Sequence, residues 1–142
     1  MTQEVIIVSD QSAAGTVNVS IANGAAVSGN LYAAEPEARK GFRGFSVEIP
    51  AAWTAANIGF EYSWDGNTWY KFYSSTKVRV MLTSVPTAER CAMVAPVEVV
   101  GLSQYPYVRL VSLNTGTGAN ENQGAARELA VTFWRSVSYT HL

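Results

Sequence analysis

Apolar and polar residues alternate with a period of two along much of this chain. In the segment TVNVSI, Val17, Val19 and Ile21 alternate with Asn18 and Ser20. Such alternation is typical of a β-strand with one face on a core and the other toward water or a partner. The same pattern occurs at Phe45–Ile49, Ile58–Ser63, Val78–Leu82, Val94–Val100, Tyr107–Leu113 and Leu129–Phe133. Turn residues separate these segments, which predicts about eight short antiparallel strands.

Evidence for helices is confined to one short segment, PAAWTAAN. It begins with Pro50 and ends with Asn57, and both residues are typical of helix ends. We therefore expect one short helical turn near residues 51–56. Evenly spaced strands with so little helix predict an all-β fold, an antiparallel β-sandwich of jelly-roll type, with a single domain over residues 1–136. The segment Asn114–Ala126, rich in Gly and Asn, predicts an extended surface loop.

The composition narrows the classes of partner. Of the 142 residues, 48% are apolar and 15% are charged, with a net charge of −1. This balance gives no basic surface for nucleic acid or for an acidic membrane. No apolar stretch is long enough for membrane insertion, and the N-terminus lacks a signal-peptide pattern, so we expect synthesis in the cytoplasm. The low charge favours a surface partly covered by other subunits.

The residue types needed for catalysis are scarce. The chain has one histidine, His141, and one cysteine, Cys91, which without a neighbouring imidazole lacks a base to activate it. The carboxylates are scattered, with no spacing typical of a metal site or an acid–base pair. We therefore predict that the protein is not an enzyme and requires no cofactor or metal.

The segment WDGNTW, residues 64–69, carries the sharpest local signal. Asp65-Gly66 between two strand patterns predicts a hairpin turn, because Gly takes the positive φ that such a turn requires. Trp64 and Trp69 flank the turn, and their flat faces could stack on sugar rings. The alternative is that these aromatic side chains pack in the core or at a subunit interface.

A candidate ligand or partner surface follows from the hairpin, the Gly/Asn loop and one arginine in a strand. We expect the hairpin and the loop to lie together at one end of the sandwich. The candidate residues are Trp64, Asp65, Asn67, Trp69, Arg109, Asn120, Asn122 and Gln123. For Arg109, an ordinary salt bridge is the alternative to a ligand role. Arg127 opens the last strand and is predicted to anchor the loop, because a guanidinium can bond several loop acceptors.

The run IPAAWTAANIGFEYSWDGNTWYKFY, residues 49–73, resembles a recurring pattern in small structural proteins of tailed bacteriophages. That pattern also includes a GAxxS turn, an RLxS strand, a Gly/Asn/Ala loop with a Gln, and a final strand opening with an Arg. The matching pieces here are Gly24–Ser28, Ile49–Ala56, Ser63–Trp69, Arg109–Ser112, Gln123 and Arg127–Phe133.

This resemblance covers most of residues 17–135. It implies a non-enzymatic virion protein, such as a head decoration, the base of a head fibre or a tail-associated piece. The implied location is the virion, after synthesis in the bacterial host. The implied partners are further copies of the chain and other virion proteins, because virion components normally assemble with symmetry. The alternative is a carbohydrate-binding module that recognises a host surface glycan.

A second resemblance concerns the fold. The segments FEYSWDGNTWYKFY and YPYVRLVSL are similar to paired strands of galactose-binding-like (discoidin-type) β-sandwich domains. Pro106 stands where that pattern commonly has an Arg. The likeness implies a jelly roll but carries no sugar-binding role with it, because one fold hosts many functions.

The last six residues, VSYTHL, fit neither a strand nor a helix in this scheme. Their codons can match one reading frame of the transposon-end adapter used in shotgun sequencing of metagenomic DNA. We therefore expect residues 137–142 to be non-native, exposed and poorly ordered, with the native sequence ending near Ser136. On this interpretation His141 has no functional meaning.

Overall fold

The alternating segments form a β-rich structure in the computed structural model, which describes residues 5–9, 13–33, 42–135 and 138–141. The predicted all-β sandwich is confirmed, with a jelly-roll-like curl of one large antiparallel sheet. Eleven strands lie in these ranges: β1 (Val5–Ser9), β2 (Ala13–Ile21), β3 (Val27–Ala33), β4 (Phe42–Ile49), β5 (Asn57–Ser63), β6 (Tyr70–Lys71), β7 (Met81–Leu82), β8 (Cys91–Val94), β9 (Tyr107–Leu113), β10 (Arg127–Arg135) and β11 (Ser138–His141).

The main sheet has the strand order β6-β5-β9-β3-β2-β10-β4-β8, and β7 pairs separately with β5. The sheet divides at β3, which pairs along β9 but meets β2 in register only at Ile21 and Ser28 within the described residues. The two halves curl over each other, because the Phe45 ring of β4 meets the Phe60 ring of β5 at 5.6 Å. The core therefore lies between the β4 half and the β5 half of the sheet.

Aromatic and aliphatic side chains fill this core. Phe133 lies 5.3 Å from Phe45, and Phe42 lies 5.1 Å from Phe133, measured between ring centroids. Trp53, from the segment between β4 and β5, is also buried, and its indole nitrogen donates to the carbonyl oxygen of Ala56 at 3.1 Å. Trp53 therefore closes the core as a packing residue whose single polar group is satisfied.

The helix lies elsewhere than predicted. Residues 51–56 form a turn, in which Ala52 has a φ of +64°, whereas a right-handed helix needs negative φ. A 3-10 helix instead spans Val97–Gln104, and its first four residues lie in the segment Val94–Val100, where alternation predicted a strand. Its buried residues, Val99 and Leu102, are three apart, which is the period of a 3-10 helix. The apolar residues of Val94–Val100 fit both a strand period of two and a 3-10 period of three. The strand prediction for this segment was therefore wrong beyond Val94.

Other strand predictions differ in extent. The segment Val78–Leu82 is paired as a strand only at Met81 and Leu82, while Val94 ends β8. The final residues were expected to form no strand, and this is wrong for Ser138–His141, which pairs antiparallel with β1. Backbone hydrogen bonds between strands form without side-chain alternation, so the alternation pattern did not predict that these residues pair with β1. Residues 136, 137 and 142 lie outside the described ranges, and the adapter origin of residues 137–142 stays a prediction.

Candidate functional site

The segment Trp64–Trp69 is a six-residue loop rather than a tight two-residue turn, since β5 ends at Ser63 and β6 begins at Tyr70. Asp65 organises it: one carboxylate oxygen, Oδ1, accepts hydrogen bonds from the backbone N–H groups of Asn67 and Thr68, both at 2.8 Å. Gly66 has the positive φ that the sequence predicts, +81°. The loop conformation therefore depends on contacts between residues that are neighbours in sequence.

Hydrogen bonding also fixes the charge of this loop. The backbone N–H groups of Thr68 and Asn67, followed by the hydroxyl of Ser63, lower the pKa of Asp65 from 3.8 to about 2. Each of these donors stabilises the ionised carboxylate. Asp65 is thus an anion at neutral pH, with Oδ1 already occupied by the protein.

Four aromatic side chains form a continuous row beside this loop, here called the aromatic ledge: Trp64, Tyr105, Tyr62 and Tyr70. Tyr62 stacks on Tyr105 at 4.1 Å, and Trp64 meets Tyr105 edge-on at 5.0 Å. Tyr70 lies 5.7 Å from Tyr62 on the neighbouring strand. Trp64 is 64% exposed, so the ledge presents a large apolar face to solvent. Each ring of the ledge is held in place by contact with another ring. Such side chains have little conformational entropy to lose when they contact a ligand or a partner.

Trp69 and Arg109 are engaged with each other on the opposite face of β5 and β9. The Arg109 guanidinium carbon lies 4.2 Å from the Trp69 ring centroid, which is a cation–π arrangement. Arg109 also donates from Nε and contacts with Nη2 the same oxygen of Glu61, at 2.9 and 2.8 Å. The salt bridge that was the alternative for Arg109 is therefore present. The side chains of Trp69 and Arg109 are half-buried.

The sequence did not indicate that Glu61 and Arg79 form a buried pair of opposite charges. Glu61 is buried, and its other oxygen, Oε2, lies 3.7 Å from Nη2 of Arg79. Glu61 lies on the face of β5 opposite to the face of Phe60 and Tyr62, as the alternation predicts. Residues on both faces of this strand are buried, so the Glu61 side chain is not in water. The cross-strand pairing of Glu61 with Arg109 supplies the explanation, and a single sequence carries no signal for it.

The Gly/Asn loop contains one residue that differs in placement from the prediction. Asn120 and Asn122 are exposed, as expected, whereas Gln123 is only 1% exposed. The Gln123 amide nitrogen donates to the Thr54 carbonyl at 3.1 Å and to the Ser112 hydroxyl at 3.0 Å. Its amide oxygen accepts from the Thr54 N–H at 2.9 Å. Gln123 thus holds the loop to the interior and has no surface to offer a ligand.

Arg127 adds two hydrogen bonds to those by which Gln123 holds the Gly/Asn loop. Its Nε donates to the amide oxygen of Gln123, and its Nη2 donates to the hydroxyl of Thr54, both at 3.1 Å. These bonds connect the end of the loop to the turn before β5, which is the geometry expected of a loop anchor.

The hairpin and the Gly/Asn loop lie at opposite ends of the β5–β9 ladder, not at one end. Ser63 pairs with Tyr107 beside the hairpin, and Asn57 pairs with Leu113 beside the loop. Seven residues of strand separate them, or about 20 Å at the usual rise. The eight candidate residues therefore divide into two distant groups, because the sequence did not reveal which strand ends coincide.

A polar groove of about 290 Å³ lies near Arg127, between β10 and the end of β4. Its lining includes Asn18, Glu128, Glu48 and Arg90, the last two of which form an ion pair. In the described ranges, no three His, Cys, Asp or Glu side chains lie close enough to hold a metal ion. No described segment forms a helix with the length and apolar composition needed to traverse a membrane.

Comparisons with protein-family models, with curated proteins and with solved structures found no match to this chain.

Proposed function

We propose that this protein is a non-enzymatic structural or accessory component of a tailed-bacteriophage virion. The head decoration, head-fibre base and tail-associated roles all fit this proposal, and its place of action is the assembled particle. The sequence resemblance of residues 49–73 motivates it. The low net charge of −1 supports it, because weakly charged surfaces associate more readily.

The observation that carries the proposal is the exposure of large aliphatic side chains at one edge of the sheet. Val94 is 70% exposed and Val97 is 77% exposed, and both lie at or just after β8. Strand β8 is an end strand of the main sheet, and its residues CAMV carry no charge. Soluble monomers often place charged side chains on such an edge, and β8 has none between Cys91 and Val94, so the exposed valines beside it favour burial against another copy.

The test is the solution mass of the full chain by light scattering across a range of concentrations. We expect a discrete oligomer that dissociates when Val94→Lys and Val97→Lys are combined, because two charges would have to enter the contact. The control is Asn122→Lys, which adds the same charge at an exposed position of the Gly/Asn loop and should leave the mass unchanged. A strict monomer at every concentration would contradict the proposal.

The aromatic ledge supports a second candidate, a carbohydrate-binding module for a host surface glycan. Trp64 is the most exposed large aromatic side chain of the described residues, and Tyr105 holds its ring edge-on. Glycan-array binding by the wild type, lost in Trp64→Ala and retained in Tyr73→Ala, is the expected result for this function. Tyr73 is the control because it is also an exposed aromatic, yet it lies outside the ledge. Equal loss in both variants, or no binding by the wild type, would exclude it.

A further inference from the structure

Strand β8 forms one edge of the half-sheet β2-β10-β4-β8. It pairs with β4 along its whole length, from Cys91 opposite Ile49 to Val94 opposite Ser46, with no shift of register. On its other side it pairs with no strand among the described residues. The backbone groups and side chains on that side therefore decide what the edge can bind.

The register with β4 fixes which backbone groups of β8 point outward. One residue beyond the strand, the N–H of Ala95 donates to the carbonyl oxygen of Phe45 at 2.9 Å, so this pair is hydrogen-bonded. Hydrogen-bonded and non-hydrogen-bonded pairs alternate along an antiparallel ladder. Met93 therefore bonds β4 in the same way, whereas the N–H and C=O groups of Ala92 and Val94 point away from β4, toward the free edge.

The side chains of the same two residues are also exposed. Ala92 and Val94 alternate with Cys91 and Met93, which pack partly against the core. The edge thus combines outward backbone donors and acceptors with small apolar side chains. An edge of this kind accepts a further strand by backbone hydrogen bonding.

The absence of charge on β8 favours a second copy of β8 as that further strand. A two-fold axis brings a surface against itself, so a charged side chain near the axis would lie opposite its own copy and be repelled. Residues Cys91–Val94 carry no charge. The edge is therefore compatible with itself.

One register of self-pairing uses both outward-facing residues. With the two-fold axis at Met93, Ala92 of each copy lies opposite Val94 of the other. Each of these pairs exchanges N–H···O=C bonds in both directions. Val94, which is 70% exposed, also gains an apolar neighbour across the joint. Pro96, which has no backbone N–H, falls outside both pairs.

Strand β2, at the other end of the same half-sheet, fits β8 less well. The cross-strand registers place Thr16 and Asn18 on the same face as Val94. Both are exposed polar residues. Val94 would lie beside polar groups on β2 but beside Ala92 on a second β8. Self-pairing of β8 therefore removes more apolar surface from water.

We propose that two copies of this chain join through β8 across a two-fold axis, so that the strands β2-β10-β4-β8 of both copies form one continuous antiparallel sheet. This inference rests on the proposed function, because it assigns a pairing and a symmetry to the oligomer expected there. Any larger assembly is then built from such dimers and contains an even number of copies.

The first test compares Ala92→Pro with Ala92→Val by light scattering over a range of concentrations. Proline removes the outward N–H, is tolerated on edge strands and takes no hydrogen bond from the β4 ladder. We expect Ala92→Pro to raise the dissociation constant of the dimer by about tenfold to a hundredfold, because each copy loses one hydrogen bond. Ala92→Val keeps the N–H and should dissociate as the wild type does.

The second test is a cross-link, which decides the question even if Ala92→Pro fails to fold. At the axis the two Met93 residues form a non-hydrogen-bonded pair, with Cα atoms about 4.5 Å apart, a distance that a disulfide spans. Met93→Cys in a Cys91→Ala background should therefore give a covalent dimer on oxidation with copper phenanthroline. The control is Thr16→Cys in the same background, which places the thiol on β2 and should give none.

Three results would overturn this pairing and leave the virion proposal standing. They are an oligomer with an odd number of copies, a wild-type dissociation constant for Ala92→Pro, and no cross-link through Met93→Cys. A strict monomer at every concentration would contradict the virion proposal as well.

Discussion

The two ends of the β5–β9 ladder are held by different kinds of contact. At the hairpin end, Asp65 bonds residues two and three positions away along the chain. At the other end, Gln123 bonds Thr54, which lies 69 positions away. The first end keeps its shape locally and leaves Trp64 exposed, whereas the second end uses its polar side chain to close the interior. The exposed aromatic side chain and the polar closure of the interior are thus separated by the length of one strand.

Among variants at the two ends of the ladder, the largest effect is expected from Gln123→Met, which keeps the size of the side chain but removes its hydrogen bonds. The buried hydroxyl of Ser112 and half-buried groups of Thr54 and Arg127 would lose their partner, so the free energy of unfolding should fall by about 3 kcal/mol. Urea denaturation measures it. The neighbouring exposed variant Asn122→Ala should change stability by less than about 0.5 kcal/mol. A loss in Gln123→Met as small as that of the control would break the contrast between the two ends.

Arg127→Met should cost less, about 1–2 kcal/mol, because two hydrogen bonds at a half-buried site are lost. The double variant with Gln123→Met should then be less unstable than the two single losses added together, by about 0.5 kcal/mol or more, since both residues serve one network. Strict additivity in urea denaturation would show instead that they act independently.

The stability contributed by the two ends of the β5–β9 ladder is expected to differ in its dependence on pH. Because folding lowers the pKa of Asp65, its carboxylate stabilises the fold fully above its ordinary value of 3.8, and this contribution declines and is lost as the pH falls through about 2. Thermal unfolding from pH 5 to pH 2 should show a steeper decline for the wild type than for Asp65→Asn. Gln123→Met should retain the wild-type slope, since an amide does not titrate. Parallel curves for the wild type and Asp65→Asn would contradict this assignment.

Apart from the control variants, the smallest effect on stability is expected from Trp64→Ala, below about 1 kcal/mol, because the ring is mostly in water and loses one edge-on contact. Calorimetric unfolding measures this change. Trp53→Ala is the reference, since that buried ring should cost about 3–5 kcal/mol. Similar losses in both variants would mean that Trp64 is a core residue in solution.

The sequence predicts the fold class and much of the strand layout, because alternation reports directly on a two-faced strand. The bounds of β9, Tyr107–Leu113, agree with the prediction, and Gly66 takes the predicted positive φ. The helix at Val97–Gln104 was missed because Val94–Val100 alternates in sequence, while Pro96 ends the strand and Val99 turns inward. Local pattern cannot decide between such competing periods.

The site was predicted less well than the fold, for a physical reason. Trp64 and Asp65 were found because their loop is built from sequence neighbours. Gln123 was placed on the surface because it lies in a polar loop, yet its partners come from distant segments. Arg79 depends likewise on the close approach of Glu61 across paired strands. Residues whose role depends on tertiary pairing give no signal in one sequence.

The single point of register between β2 and β3, at Ile21 and Ser28, makes the molecule mechanically uneven. Strands β2 and β10 form a long ladder from Arg127 to Trp134, so load along that part of the wall is shared among many bonds. Between β2 and β3 the same load falls on one residue pair. A molecule pulled across the sheet would therefore open along this seam first, before its longer ladders shear.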